Sequence, residues 1–192
     1  MILIKKTATM KTIFELTSET IDSIGLRASL ENPTCGACVT FEGLIRNHNE
    51  GRKVLRLEYE AYGALANKEG EAIVREALKR FRIEEASCVH RTGLLEIGEM
   101  AVWVGVSSAH RGEAFKACSY IIDTVKQRVP IWKREHYADG TDEWVNCAAC
   151  ATPADASAHE HTADHPHARG TGIGTLKNLP NGPGSMDGDL GA

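Results

Sequence analysis

The turn Ser107-Ser108-Ala109-His110-Arg111-Gly112 joins an apolar run to an amphipathic one. A helix that begins there presents unpaired backbone N–H groups and a partial positive charge. With His110 and Arg111 beside those groups, the turn makes an anion site, suited above all to phosphate. It also reads as an ordinary strand-to-helix connection with solvated charges. Lys126 lies four residues past Ile122 and three before Val129, at the border of the helix's apolar stripe. A lysine at such a border commonly snorkels to water. Partly desolvated among other cations, its pKa instead falls from about 10.4 toward neutrality, and it can then exchange protons or attack an electrophile. Lys133 and Arg134 follow the break at Pro130, where cations also suit the helix macrodipole. Arg46, in the loop over residues 43–51, adds a further cation. These residues by themselves describe a phosphate site with a nearby lysine pair, and no reaction.

The elements that position them follow from periodicity. Residues 38–42 read as a strand ending at Gly43, and 46–51 carry loop chemistry. Leu55, Leu57, Tyr59 and Ala61 alternate with Arg56, Glu58 and Glu60, which predicts a strand with one wet face. Ala66, Gly70, Ile73, Val74, Ala77, Leu78 and Phe81 then fall at helical spacing, with charges on the other side. Residues 87–90 read as a strand, Gly98 as a turn, and the apolar run over 100–106 as a strand buried on both faces. Ala114, Phe115, Cys118, Ile121, Ile122, Val125 and Val129 form the stripe of a second helix, which Pro130 stops. Tyr59, Tyr62, Trp103 and Trp132 are expected in the core or as pocket wall. Strands, helix, strands and helix in this order favour an α+β fold with a mixed or antiparallel sheet and two main amphipathic helices.

The 192 residues suit one domain and a tail. A net charge of −4 disfavours broad nucleic-acid binding, so any anionic ligand needs a local cationic cluster. No apolar run is long enough for a bilayer, and Met1-Ile2-Leu3-Ile4-Lys5-Lys6 is charged too soon for a signal peptide. The expected compartment is therefore the cytoplasm. Met10 offers a second start, so residues 1–9 are expected to be a leader, 10–150 the folded domain, and 151–192 a disordered tail. The tail contains no aromatic residue and is rich in Gly, Ala, Pro, Asp and His.

Cys35-Gly36-Ala37-Cys38 and Cys147-Ala148-Ala149-Cys150 are both C-x-x-C pairs, and two such pairs can hold zinc. His159, His161, His165 and His167 add weak ligands. A metal-binding or metal-delivery protein is thus the alternative reading. Against it, Cys38 sits at a strand start, where a zinc knuckle needs a tight turn.

Gly36-Ala37-Cys38-Val39-Thr40-Phe41-Glu42-Gly43-Leu44-Ile45-Arg46-Asn47-His48-Asn49 resembles the opening motif of the catalytic subunits of molybdopterin synthase. So do Leu57-Glu58-Tyr59-Glu60-Ala61-Tyr62, His90-Arg91-Thr92-Gly93, Val106-Ser107-Ser108-Ala109-His110-Arg111 and the segment 126–135, in the family's order and spacing. The resemblance covers about residues 10–146 and implies an α+β hammerhead-type fold. It implies sulfur transfer from the C-terminal thiocarboxylate of a small ubiquitin-like carrier to cyclic pyranopterin monophosphate, forming a dithiolene. It also implies a homodimer of catalytic subunits within a heterotetramer. On the matching positions, Lys126 and Lys133 resemble the two active-site lysines. Arg46, with Leu44 and Ile45 before it, resembles the substrate pocket's arginine segment. His110 and Arg111 resemble a phosphate-binding pair supplied across the dimer, and Arg134 and Glu135 the last pocket segment. No metal, cofactor or catalytic cysteine is implied. The sequence ends Asp189-Leu190-Gly191-Ala192 rather than Gly-Gly, so the expected sulfur donor is a separate chain.

Overall fold

The computed structural model describes residues 14–146. The expected leader (1–9), the tail (151–192), and Cys147 and Cys150 lie outside them. In chain order the elements are β1 (Phe14–Thr17), α1 (Ser23–Ser29), β2 (Ala37–Leu44), β3 (His48–Asn49), β4 (Arg52–Ala61), α2 (Gly63–Arg80), β5 (Glu85–Arg91), β6 (Gly93–Glu96), β7 (Met100–Ser108), α3 (Arg111–Arg128), β8 (Ile131–Tyr137) and β9 (Asp142–Asn146). This is the expected α+β class, with a third, short helix.

The first sheet runs β1-β5-β7-β2, with β1 parallel to β5 and the other pairs antiparallel. Its central strand, β7, is the predicted apolar run, buried on both faces because α2 and α3 cover one and the segments flanking α1 cover the other. One face carries Val102, Val104 and Val106 into a core with Ile73, Val74 and Ala77 of α2 and Ala114, Ile121 and Val125 of α3. The other carries Trp103 against Leu30, just past α1. Gly70 of α2 lies directly under the Phe14 ring, with no room for a Cβ, which is how the helix approaches the sheet edge closely. The stripe of α3 is completed by Ala117 rather than by the expected Phe115, which is 59% exposed. Arg128 clasps Glu69 and Glu76 of α2 at 2.6 and 2.7 Å, which fixes the register of the two helices.

The second sheet runs β3-β4-β8-β9, with β6 also on β4. Its core holds Ile45, Val54, Leu57, Leu95, Ala101 and Tyr137. The expected alternation of β4 is broken at one place. The register against β8 slips between Val54 and Arg56, so Leu55 is the extra residue of a bulge. Val54 turns inward in its place, and Leu55 is left 48% exposed. The hairpin of β8 and β9, the strand β1 and the helix α1 carry no clear periodicity in the sequence. Helix α1 buries none of its residues and is held by Asp22, whose side chain accepts from the Gly25 N–H at 3.0 Å. Tyr62 and Trp132, expected in core or wall, are 65% and 44% exposed. Among the described residues no helix is long and apolar enough to cross a membrane.

Candidate active site

A cavity of about 280 Å³ opens between the second sheet and the last turn of α3. Three segments build it. At the end of β2 a second bulge, between Gly43 and Leu44, turns the chain out of the first sheet. Ile45 then anchors it: its N–H donates to the Glu99 carbonyl at 2.9 Å, and its own carbonyl accepts from Gly98 N–H at 2.8 Å. With Ile45 buried, Leu44 and Arg46 reach the cavity, and Arg46 Nη2 donates to Asn49 Oδ1 at 2.8 Å. Asn49 is placed by the two-residue β3–β4 turn, where Glu50 and Gly51 both have positive φ, of 48° and 77°.

The second segment is α3, whose last turn presents Lys126 at the cavity. Pro130 ends the helix, and the chain returns as β8. Alternation along β8 sends Lys133, Glu135 and Tyr137 to one face and Arg134 and His136 to the other. Lys133 Nζ lies 2.8 Å from Glu135 Oε1, their side chains 12% and 2% exposed. Tyr137 Oη donates to Glu135 Oε2 at 2.6 Å. Burial pushes the Glu135 carboxyl up, but the hydrogen bonds from Lys133, Tyr137 and Asn49 and the charge of Lys133 outweigh it, so it sits below the usual range and is ionised. Lys126 differs from Lys133: among the described residues it has no hydrogen-bond or ion-pair partner. Arg46, Lys126 and Lys133 against one carboxylate leave the cavity with a surplus of two positive charges. Tyr59 forms the wall between the lysines' stems and the interior.

Of the residues expected at a site, Leu44, Ile45, Arg46, Lys126, Lys133 and Glu135 are brought together here. Arg134 is not: strand alternation puts it on the far face of β8, where Nε donates to Glu58 at 3.0 Å and the guanidinium lies 5.1 Å from the Trp144 ring. His110 and Arg111 are not either. They stand at the start of α3, fifteen residues from Lys126, which is roughly 22 Å at about 1.5 Å per residue. There they border a separate cavity of about 450 Å³ with Gly36, Ala109 and Gly112. Sequence reasoning missed Asn49 and Tyr137 as partners of Arg46 and Glu135. The signal for Tyr137 was its place two residues past Glu135, on the same strand face. Cys35, Cys38, Cys88 and Cys118 are free thiols, and among the described residues no three His, Cys, Asp or Glu side chains gather as a metal site.

The family model of the MoaE protein matches residues 16–128. The chain belongs to the MoaE family. Arg46, His110, Arg111 and Lys126 fall within the matched span, and Lys133, Arg134 and Glu135 just beyond it. The molybdopterin synthase catalytic subunit of Thermoplasma volcanium is 44% identical over 135 residues, covering 70% of this chain and 98% of that protein. The Homo sapiens protein of the same description is 37% identical over 140 residues, covering 73% and 74%. Among solved structures, molybdopterin synthase from Staphylococcus aureus superposes with a TM-score of 0.66 at 38% identity, over 71% of this chain and 98% of that one. A complex of subunits 1 and 2 of molybdopterin-converting factor from Helicobacter pylori shares the fold, with a TM-score of 0.56 at 18% identity over 69% of this chain and 88% of that one.

Proposed function

We propose that this chain is the catalytic subunit of a molybdopterin synthase, moving sulfur from the thiocarboxylated C-terminus of a small carrier subunit to cyclic pyranopterin monophosphate. The observation that carries this reading is the cavity with two converging lysines and an arginine around one buried carboxylate, in a chain of the MoaE family. Both substrates are anions, a thiocarboxylate and a phosphate, and a cationic, partly desolvated cavity favours them together. A cavity of about 280 Å³ gives a carrier's C-terminal tail a place to enter, and the two sulfurs of a dithiolene require two charged carriers in turn.

The lysines have different tasks. Lys133 is held by Glu135, so it is a fixed positive charge that orients an anion. Lys126 has no such clamp and serves the proton transfers of sulfur addition and water loss. Arg46, steadied by Asn49, holds the substrate from the loop side. His110 and Arg111, too far away within one chain, bind the phosphate of the neighbouring copy's substrate across a homodimer. Arg134 serves the far face of β8 and does not touch substrate. The reaction belongs in the cytoplasm, where the four free thiols of the described residues stay reduced.

Reconstitution tests the reading: the chain, a thiocarboxylated carrier and cyclic pyranopterin monophosphate, with dithiolene product followed over time. Product should form, and Lys126→Ala should cut turnover by about a hundredfold or more while the chain's oligomeric state is kept. Near-normal turnover by Lys126→Ala removes its role. Absence of product from a bound carrier removes the reaction and brings forward the metal-binding alternative, which zinc content after purification decides.

A further inference from the structure

Behind the candidate active site lies a second, smaller cavity of about 50 Å³. Lys126 and Tyr59 border both cavities, so the lysine stands at their boundary. The other walls of the rear cavity are aliphatic except for one residue, His90. On β5, His90 is flanked by Leu16 of β1 and Val102 of β7 and is 7% exposed. Its Nδ1 lies 2.8 Å from the Arg91 carbonyl oxygen, which can only accept, so Nδ1 carries the proton and Nε2 is left as an acceptor. The ring meets Tyr59 edge-on, centroids 5.1 Å apart and planes at 74°. Burial pushes the imidazole down to about 4, against the hydrogen bond to the Arg91 carbonyl and with the charge of Lys126, so the ring is neutral near pH 7.

A buried polar ring costs free energy unless its polar atoms are used. An apolar residue would fill this aliphatic wall at less cost, and the polar residues that share the rear cavity with His90 are Tyr59, which meets its ring edge-on, and Lys126. The rear cavity is large enough for a water, which needs polar partners to stay there. We propose that His90 is a positioning residue for Lys126: one water in the rear cavity accepts a hydrogen bond from Lys126 Nζ and donates one to His90 Nε2, which fixes where the amine stands between the two cavities. A lysine carries four rotatable carbons, and a reacting amine displaced by about 1 Å loses much of its rate. The tether supplies what Glu135 supplies for Lys133, without adding a charge that would pair with the ammonium and withdraw it from the reaction.

This inference rests on Lys126 being a catalytic lysine, and its test separates the two. The full chain carrying 15N-histidine is compared with its Lys126→Met variant by NMR. The His90 Nε2 resonance should move when the amine is removed, and Nδ1 should stay protonated. In the reconstituted enzyme, His90→Phe keeps the ring's bulk and loses the acceptor, whereas His90→Gln keeps an acceptor. The Phe variant should lose about tenfold in kcat, the worth of one charge-assisted hydrogen bond at the transition state, with KM for the pterin unchanged. The Gln variant should recover most of that loss. A role in packing alone predicts the reverse order. Turnover of His90→Phe equal to or above that of His90→Gln overturns the proposal, as does an Nε2 resonance indifferent to Lys126→Met. The resonance decides alone if the substituted chains do not fold. Near-normal turnover of Lys126→Ala, with the resonance still coupled, would remove the role of Lys126 and leave the contact standing.

Discussion

Removing either member of the Lys133–Glu135 pair should destabilise the chain, and by unequal amounts. In Lys133→Met the Glu135 carboxylate, 2% exposed, keeps the Tyr137 and Asn49 donors but loses the cation paired with it. Breaking a buried pair from one side costs roughly 3–5 kcal/mol. The two remaining donors place this case at the lower end, about 3 kcal/mol. For a domain of this size that corresponds to a fall in Tm of roughly 10 °C. In Glu135→Gln the affected group is Lys133, 12% exposed at the edge of an open cavity. Its long stem can carry the ammonium to water, so the cost is about 1 kcal/mol. The two variants also differ with pH. In the intact chain the Glu135 pKa is lowered by folding, so its contribution is complete above the unfolded carboxyl value and is lost as pH falls through the folded one. Without Lys133 the hydrogen bond and the charge through which it lowers the Glu135 pKa are both gone, so the folded state gains affinity for a proton. The Tm deficit of Lys133→Met should therefore be largest at neutral pH and narrow toward about pH 4. Thermal unfolding at fixed protein concentration across pH 4–8 measures both effects. A deficit independent of pH, or a larger loss in Glu135→Gln than in Lys133→Met, would refute the assignment of charge in this pair.

Three further outcomes are expected. Arg111→Ala should raise KM for the pterin by about tenfold or more, the worth of a charge-assisted phosphate contact, and leave carrier affinity unchanged by calorimetry; loss of the carrier complex would remove the phosphate assignment. Val54→Ala should cost about 2 kcal/mol in urea unfolding and Leu55→Ala less than about 0.5, because the bulge buries the first and exposes the second. Removing residues 151–192 should leave turnover unchanged, and a large loss would give that segment a part in the reaction.

Long, regular elements were legible in the sequence. Strand β7 is an unbroken apolar run, and helices α2 and α3 repeat one period over eighteen residues, so a single misplaced side chain such as Phe115 does not hide them. Strand β8 was hidden for a reason tied to its task. A strand with one apolar face alternates visibly, but Lys133 and Glu135 face a polar cavity while Arg134 and His136 face the acidic side chains of Glu58 and Asp142, so charge falls on both sides and the alternation vanishes. The bulge at Leu55 was hidden as well, because a bulge needs a partner strand to define it and β8 lies far away in sequence. The lysines themselves were recognisable by type and position. That they converge required knowing that β8 folds back along β4, which no spacing in the sequence states.

The same geometry argues that the proposed site is incomplete in one chain. The cavity's surplus of two positive charges can match a thiocarboxylate and only part of a doubly charged phosphate. The His110–Arg111 turn, at the head of an eighteen-residue helix that His110 does not cap through its side chain, is a second cationic site in want of an anion. Lying roughly 22 Å from Lys126 along α3, it cannot serve the cavity of its own chain. A two-fold dimer resolves both deficits at once, because one operation that brings this turn to the partner's cavity brings the partner's turn to this one. On this account Arg111→Ala and Lys126→Ala chains, each deficient alone when the pterin is kept below the normal KM, should regain activity when mixed, since one of the two cavities in a mixed dimer then has an intact lysine and an intact phosphate turn. That recovery should approach half the normal activity per mixed dimer. Mixed dimers, verified by mass, that stay inactive would place the phosphate contacts within a single chain.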